Sequence, residues 1–169
     1  RFMHGNRDFL IGSRFAAETG IELLADGTVV DVEGHKVLLM HGDVLCTDDR
    51  SYQRLRRIVR NPIVQWLFRR LPLARRQRLA NRIREGSREH TTMTAAAIMD
   101  VNPGAVRGAF ERHGVDLLVH GHTHRPRVHR HDLATGHGTR IVLGDWHDQG
   151  SVLRWTPEGF ALEERVREA

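Results

Sequence analysis

Three histidines in this chain stand where side chains tend to do chemistry rather than packing. His41 follows the apolar run Val37-Leu38-Leu39-Met40 and precedes Gly42-Asp43, while His122 and His124 follow Leu117-Leu118-Val119-His120 and a turn at Gly121. Loops at strand ends are where binding and catalytic groups are usually built. The i, i+2 spacing of His122 and His124 aims both imidazoles to one side of an extended segment, so they can reach one metal ion or two adjacent ones. By itself a His-x-His pair reads as a polar loop, His41 as a satisfied core histidine, and Asn6 in Gly5-Asn6-Arg7-Asp8 as a turn residue. The apolar strand and glycine turn before His122 shift the reading toward ligation. Imidazole and amide oxygen, without thiolate, suit Mn²⁺, Fe²⁺ or Zn²⁺ better than a soft metal. His113, His129, His131 and His137 read as solvent-exposed and receive no role.

The elements that must position these residues follow from punctuation and periodicity. Residues 5–8 read as a loop and 13–19 as a short helix closed by Gly20, with a strand beginning over 21–24. Residues 29–32 and 37–40 form a hairpin about Glu33-Gly34-His35 that delivers His41 to a strand end. From Ser51 to His113 the pattern is helical, with Pro62 and Pro72 as first-turn residues dividing it, so residues of about 50–101 read as a helical insertion. Asn102 and Pro103 open a helix that runs to about His113, with Gly114 after it. A buried strand over 115–120 and strands over 141–143, 151–155 and 159–163 complete an α/β chain that ends in a β meander.

A length of 169 residues with 28% charged and 40% hydrophobic positions supports one globular domain, taken as 1–169, and excludes a disordered tail. No apolar run reaches the roughly 18 residues that span a bilayer. The start, Arg1-Phe2-Met3, lacks an initiating Met and a signal region, so an internal fragment is expected. The single cysteine, Cys46, excludes an internal disulfide and a cysteine-only zinc site, and makes a reducing compartment the default. Basic residues are 25 Arg and one Lys, and thirteen of the Arg lie between Arg50 and Arg88 against one acid, Glu85. Guanidinium groups bind phosphate bidentately, so this block points to a polyanionic partner: nucleic acid, an anionic lipid surface or a phosphorylated ligand.

Taken in order, Gly5-Asn6-Arg7-Asp8, His41-Gly42-Asp43 and Gly121-His122-Thr123-His124-Arg125-Pro126 resemble the second half of the calcineurin-like metallophosphoesterase signature. Arg7 in place of that signature's usual His, with Asp8-Phe9-Leu10 after it, resembles the branch that hydrolyses UDP-2,3-diacylglucosamine in lipid A synthesis. Gly42 to Asp49, Ala97 to Asn102, and Leu143-Gly144-Asp145-Trp146-His147 extend the match over almost the whole chain.

The resemblance implies a β-sandwich flanked by helices, with the insertion as a lid. It implies a two-metal site for Mn²⁺, in which Asn6, His41 and His122 bind one ion and His124 the other. The family's reaction is attack on the α-phosphate of UDP-2,3-diacylglucosamine, giving UMP and 2,3-diacylglucosamine 1-phosphate. Asn6, Arg7, Asp49, Ser87, Thr91, Thr94 and His122 correspond to substrate contacts, His122 being the catalytic one. Thr91 and Thr94 stand where the family pattern has amide and cationic side chains, so charge pairing at position 94 is lost and Arg84 or Arg88 is the candidate replacement.

The family's first two motifs, Asp-x-His and Gly-Asp-x-x-Asp, come before the point where Arg1 begins, and with them the family's N-terminal strands and the carboxylate bridging both metals. Asp145-Trp146-His147 imitates them superficially; a circular permutation would use it that way, but the family's own last strand carries a similar stretch. Without a bridging carboxylate two dications repel, so at most one should bind tightly and this polypeptide alone should hydrolyse weakly or not at all. In the insertion, Ile63, Val64, Trp66, Leu67, Phe68, Leu71 and Leu73 are bracketed by arginines, as an interfacial helix needs, although helix-on-helix packing would use the same residues. With the family, peripheral attachment to the cytoplasmic face of an anionic bacterial inner membrane is expected. The alternatives are another nucleotide diphosphate as substrate, or a non-enzymatic Arg-rich lipid-binding module. Nucleic acid ranks low because no stacking aromatic motif is present; the oligomeric state is open.

Overall fold

A computed structural model describes residues 1–93, 98–146 and 149–166, and they divide into two compact units, Arg1–Leu45 with Val101–Ala169, and Cys46–Asp100.

The first unit is built on a five-stranded mixed sheet. Strands β3 (Thr28–Val32) and β4 (His35–Met40) form the expected hairpin, and β4 continues in parallel to β5 (Leu117–His120) and β7 (Gly136–Val142). The far edge is β6 (Arg127–Leu133), antiparallel to β7, giving the order β3-β4-β5-β7-β6. Because strand side chains alternate between faces, the sheet has two apolar sides. Leu38 and Leu118 pack with Val106, Ala109 and Phe110 of the helix α5 (Pro103–His113). Val37, Val119 and Ile141 face the other way, against Leu153, Trp155, Phe160 and Leu162. The latter belong to a separate hairpin of β8 (Gln149–Thr156) and β9 (Gly159–Val166), so the chain end forms a second sheet and does not continue the first. A short parallel pair, β1 (Phe2–Met3) and β2 (Leu23–Leu24), flanks the helix α1 (Ser13–Thr19).

The local signals for α5 operate as the sequence implies. Asn102 accepts hydrogen bonds from the backbone N–H groups of Gly104 (2.8 Å) and Ala105 (3.1 Å), Pro103 occupies the first turn, and Gly114 follows the end. Val115 and Asp116 lie outside β5, since Val115 N–H closes back onto the Phe110 carbonyl at 3.3 Å. Strand β6 has no counterpart in the sequence reading, and β7 starts at Gly136, ahead of the expected 141.

The second unit contains α2 (Arg50–Val59), α3 (Pro62–Arg70) and α4 (Leu73–Met93). Asp49 caps α2 by accepting from Tyr52 N–H, and Asn61 caps α3 by accepting from Ile63 N–H at 2.9 Å. Pro72 sits just before α4, where its carbonyl accepts from Arg75 and Arg76. No residue of α2 or α3 is buried. No helix among the described residues is long and apolar enough to cross a membrane.

Candidate metal centre at the strand ends

Strands β4, β5 and β7 run parallel, so their carboxyl ends lie side by side, and the chain leaves each of them in a loop carrying a polar group: His41, His122 with His124, and Asp145. Open α/β sheets place ligands at this position. The His41 and His122 rings meet there, centroids 5.0 Å apart and planes at 68°. Two imidazoles bound to one cation at about 2.1 Å place their ring centres about 5 Å apart, so this pair fits a shared ion.

The loops are held by backbone bonds. Gly121 N–H donates to the His41 carbonyl (3.1 Å), Leu143 N–H to the His120 carbonyl (2.7 Å), and Thr123 N–H to the Gly121 carbonyl (2.8 Å). His41 N–H is anchored on the Asp26 carboxylate at 2.9 Å. Within this frame His122 and His124 take left-handed conformations, φ 67° and 53°. A non-glycine residue there costs roughly 1–3 kcal/mol, and such residues cluster where side chains are aimed at a ligand. The two histidines therefore do not follow the extended i, i+2 geometry the sequence suggested; the strained turn aims them. His124 Nδ1 lies 3.3 Å from the Asp145 carboxylate. A carboxylate at one imidazole nitrogen fixes the tautomer and leaves the other nitrogen for a metal.

The Gly5-Asn6-Arg7-Asp8 loop approaches the same place. Gly5 N–H donates to the Asp8 carboxylate, and a Cβ on Gly5 would stand 3.3 Å from Cε1 of His41, so the loop backbone packs closely against that ring. Asn6 is half-buried in this turn and Arg7 is exposed. Among the described residues no three His, Cys, Asp or Glu side chains form a cluster that could hold a metal. The donors brought together are two imidazoles, with the amide of Asn6 on the loop packed against one of them, a nitrogen and oxygen set of the kind hard or borderline divalent ions accept.

Asp49, Ser87, Thr91 and Thr94 belong to the other unit. The Asp49 carboxylate is buried and engaged with Tyr52 N–H and Ser51 Oγ, both at 2.9 Å, as a helix cap. Ser87 is half-buried on α4; Thr91 lies on α4, and Thr94 and His147 fall outside the described residues. The exposed reading of His131 fails: its Nε2 accepts from Arg140 Nε at 3.2 Å and its ring lies 5.9 Å from that of Phe110. Burial, then the charges of Arg140 and Arg107, hold its pKa below the usual value against the opposing pull of Asp132. Sequence reasoning also missed Asp26 and Arg140, which lie in no motif, and His120, which precedes His122 at the same i, i+2 spacing and was read only as the end of the strand.

Comparison with known proteins agrees with this geometry. The model of the calcineurin-like phosphoesterases matches residues 2–126. UDP-2,3-diacylglucosamine hydrolase of Pectobacterium carotovorum is 48% identical over 95% of this chain and 67% of its own length. The proteins of that name from Yersinia enterocolitica and Aeromonas salmonicida are each 51% identical, over 95% and 98% of this chain and 67% and 65% of their own lengths. The chain thus spans about two thirds of the length of these curated relatives.

Proposed function

The chain belongs to the calcineurin-like phosphoesterases, in the branch of the UDP-2,3-diacylglucosamine hydrolases, and on that premise we propose that its strand-end histidines serve a metal-dependent hydrolase of lipid A synthesis. The substrate is UDP-2,3-diacylglucosamine, cleaved at its diphosphate to UMP and 2,3-diacylglucosamine 1-phosphate. The observation that carries this reading is the meeting of His41 and His122 at 5.0 Å across two parallel strand ends.

Asn6, His41 and His122 would hold one divalent ion and His124 the second, with Mn²⁺ the ion we favour for an imidazole and amide donor set. Bound there, such ions supply Lewis acidity toward phosphoryl oxygens and a nucleophile at neutral pH. The chain's own groups do the rest. Arg7, exposed, offers a planar fork to a phosphate, on a loop fixed by the Asp8 carboxylate. His122 is the catalytic residue at the reacting phosphate, carried on a left-handed backbone, φ 67°, of the kind that clusters at ligand sites. By the family resemblance alone, Asp49, Ser87, Thr91 and Thr94 would be the remaining substrate contacts.

The helical unit would meet the anionic cytoplasmic leaflet. Ile63, Trp66 and Leu67 are 50% to 67% exposed among arginines, and the Arg70 guanidinium stacks 4.2 Å over Trp66. This is the composition of an interfacial helix whose apolar face enters the headgroup boundary. The test is UMP release from UDP-2,3-diacylglucosamine by the full-length protein. Mn²⁺-dependent turnover that falls at least about a thousandfold in His122→Ala is expected. Turnover indifferent to His122 would overturn the site, and equal rates on the deacylated UDP-sugar would overturn the substrate.

A further inference from the structure

Between the two histidine loops lies a third histidine that the reading above leaves without a role. His120, the last residue of β5, is 1% exposed and sits on the α5 face of the sheet. Beside it, on β7, Arg140 is 7% exposed. We propose that His120, oriented by Arg140, is the positioning residue that sets the His41 and His122 loops against each other.

The argument begins with what each partner can donate. Arg140 Nη1 lies 3.0 Å from His120 Nε2, and a guanidinium has only donors, so Nε2 accepts. The neutral ring then carries its proton on Nδ1, which lies 2.8 Å from the Gly121 carbonyl, a group that only accepts. Both contacts select the same tautomer. The carbonyl so fixed is the one that receives Thr123 N–H in the turn holding His122 at φ 67°.

The same Nδ1 edge of the ring meets the His41 loop. Gly42 has φ 107°, and a Cβ there would come within 2.7 Å of His120 Nδ1 and 3.1 Å of the Gly121 carbonyl oxygen. The ring and that carbonyl thus rest directly on the Gly42 backbone. With Gly121 N–H on the His41 carbonyl, this fixes the distance between the loops and hence the approach of the His41 and His122 rings. Arg140 is itself steadied, its Nε donating to His131 Nε2 at 3.2 Å, and that ring leans on Phe110 of the core. The brace runs from the helix-packed core to the site without either His120 or Arg140 being a metal or substrate ligand. Its functional consequence rests on the metal reading above; its geometry does not.

Two amide variants separate the two bonds. His120→Asn places a side-chain N–H where Nδ1 stands and keeps the donor to Gly121, whereas His120→Gln reaches the Nε2 position and keeps only the partner for Arg140. Long-range ¹H–¹⁵N spectra of the ¹⁵N-histidine-labelled chain should show His120 protonated at Nδ1 and bare at Nε2. His120→Asn should keep the wild-type amide resonances of residues 121–124 and Mn²⁺ affinity within about threefold, while His120→Gln shifts those resonances and weakens Mn²⁺ about 10- to 100-fold, as loss of an outer support does. A proton on Nε2 in the wild-type chain overturns the proposal whatever the variants do, and so does equal behaviour of Asn and Gln. If the wild-type chain binds no Mn²⁺, the metal reading fails separately, and the tautomer and amide resonances still decide the brace.

Discussion

In the unit formed by Arg1–Leu45 and Val101–Ala169, Leu38, Leu118, Val106 and Phe110 are at most 1% exposed, whereas in Cys46–Asp100 the apolar Ile63, Trp66 and Leu67 are 50% to 67% exposed. The sheet unit spends its apolar residues on a core that fixes three parallel strand ends, and its loops can then hold histidines in strained conformations. The helical unit keeps the apolar Ile63, Trp66 and Leu67 at the surface, beside arginines such as Arg70. Buried core and exposed apolar surface thus belong to different stretches of chain.

Truncation of a core ring should separate the units most sharply. Phe110→Ala should destabilise the sheet unit by about 3–4 kcal/mol, while Leu67→Ala on α3 should cost under about 0.5 kcal/mol, both read from urea unfolding. Equal costs would mean that Leu67 belongs to a core. A single glycine substitution should even change sign between the units. Gly42→Ala meets His120 at 2.7 Å in a left-handed backbone and should destabilise by about 2–3 kcal/mol. Gly86→Ala on α4 has open space and should stabilise by about 0.5–1 kcal/mol.

Replacing Trp66, which is 50% exposed, and the half-buried Phe68 together by Ser should lower partitioning onto anionic vesicles about tenfold, measured by sedimentation. Unchanged sedimentation would return α3 to ordinary packing. The smallest effect is on pH dependence. His131 has its pKa lowered in the folded state by burial, Arg140 and Arg107, so below about pH 6.5 the unfolded chain takes up a proton that the folded one resists. Stability present at neutral pH is therefore lost as the pH falls below 6.5. The slope stays below one proton's limit of about 1.4 kcal/mol per pH unit, and is reduced further because the ring is partly exposed. In His131→Gln thermal melts at pH 7 and pH 5.5 should lie closer together than in the wild type.

Where structure follows from a few neighbouring residues, it was legible. Asn102-Pro103 and Gly114 bound α5, and the β3–β4 hairpin follows from apolar runs about Glu33-Gly34. Strand β6 was not, because Arg-Val-His-Arg-His-Asp-Leu carries charge on both alternations and is made a strand by its pairing with β7 at the sheet edge. The first residues of β7, Gly136-His137-Gly138, were missed by the expected strand over 141–143, because glycines weaken a strand signal. His41 and His122 were legible as strand-end groups, and their family motif added Asn6 and Arg7. Their supports were not: Arg140 lies 20 residues from His120 and meets it only through the parallel register of β5 and β7. Asp49, a substrate contact only by the family resemblance, is visible in the structure first as the cap of α2.

The central claim is that the ends of β4 and β5 bind a divalent ion through His41 and His122. The direct measurement is a Mn²⁺ titration of this chain, followed by the loss of the free-ion electron paramagnetic resonance signal, alongside His41→Ala and His122→Ala. One saturable Mn²⁺ per chain, lost in both variants while their melting curves stay cooperative, is the predicted result. Binding that persists unchanged when either imidazole is removed, or no binding by the wild-type chain, would contradict it.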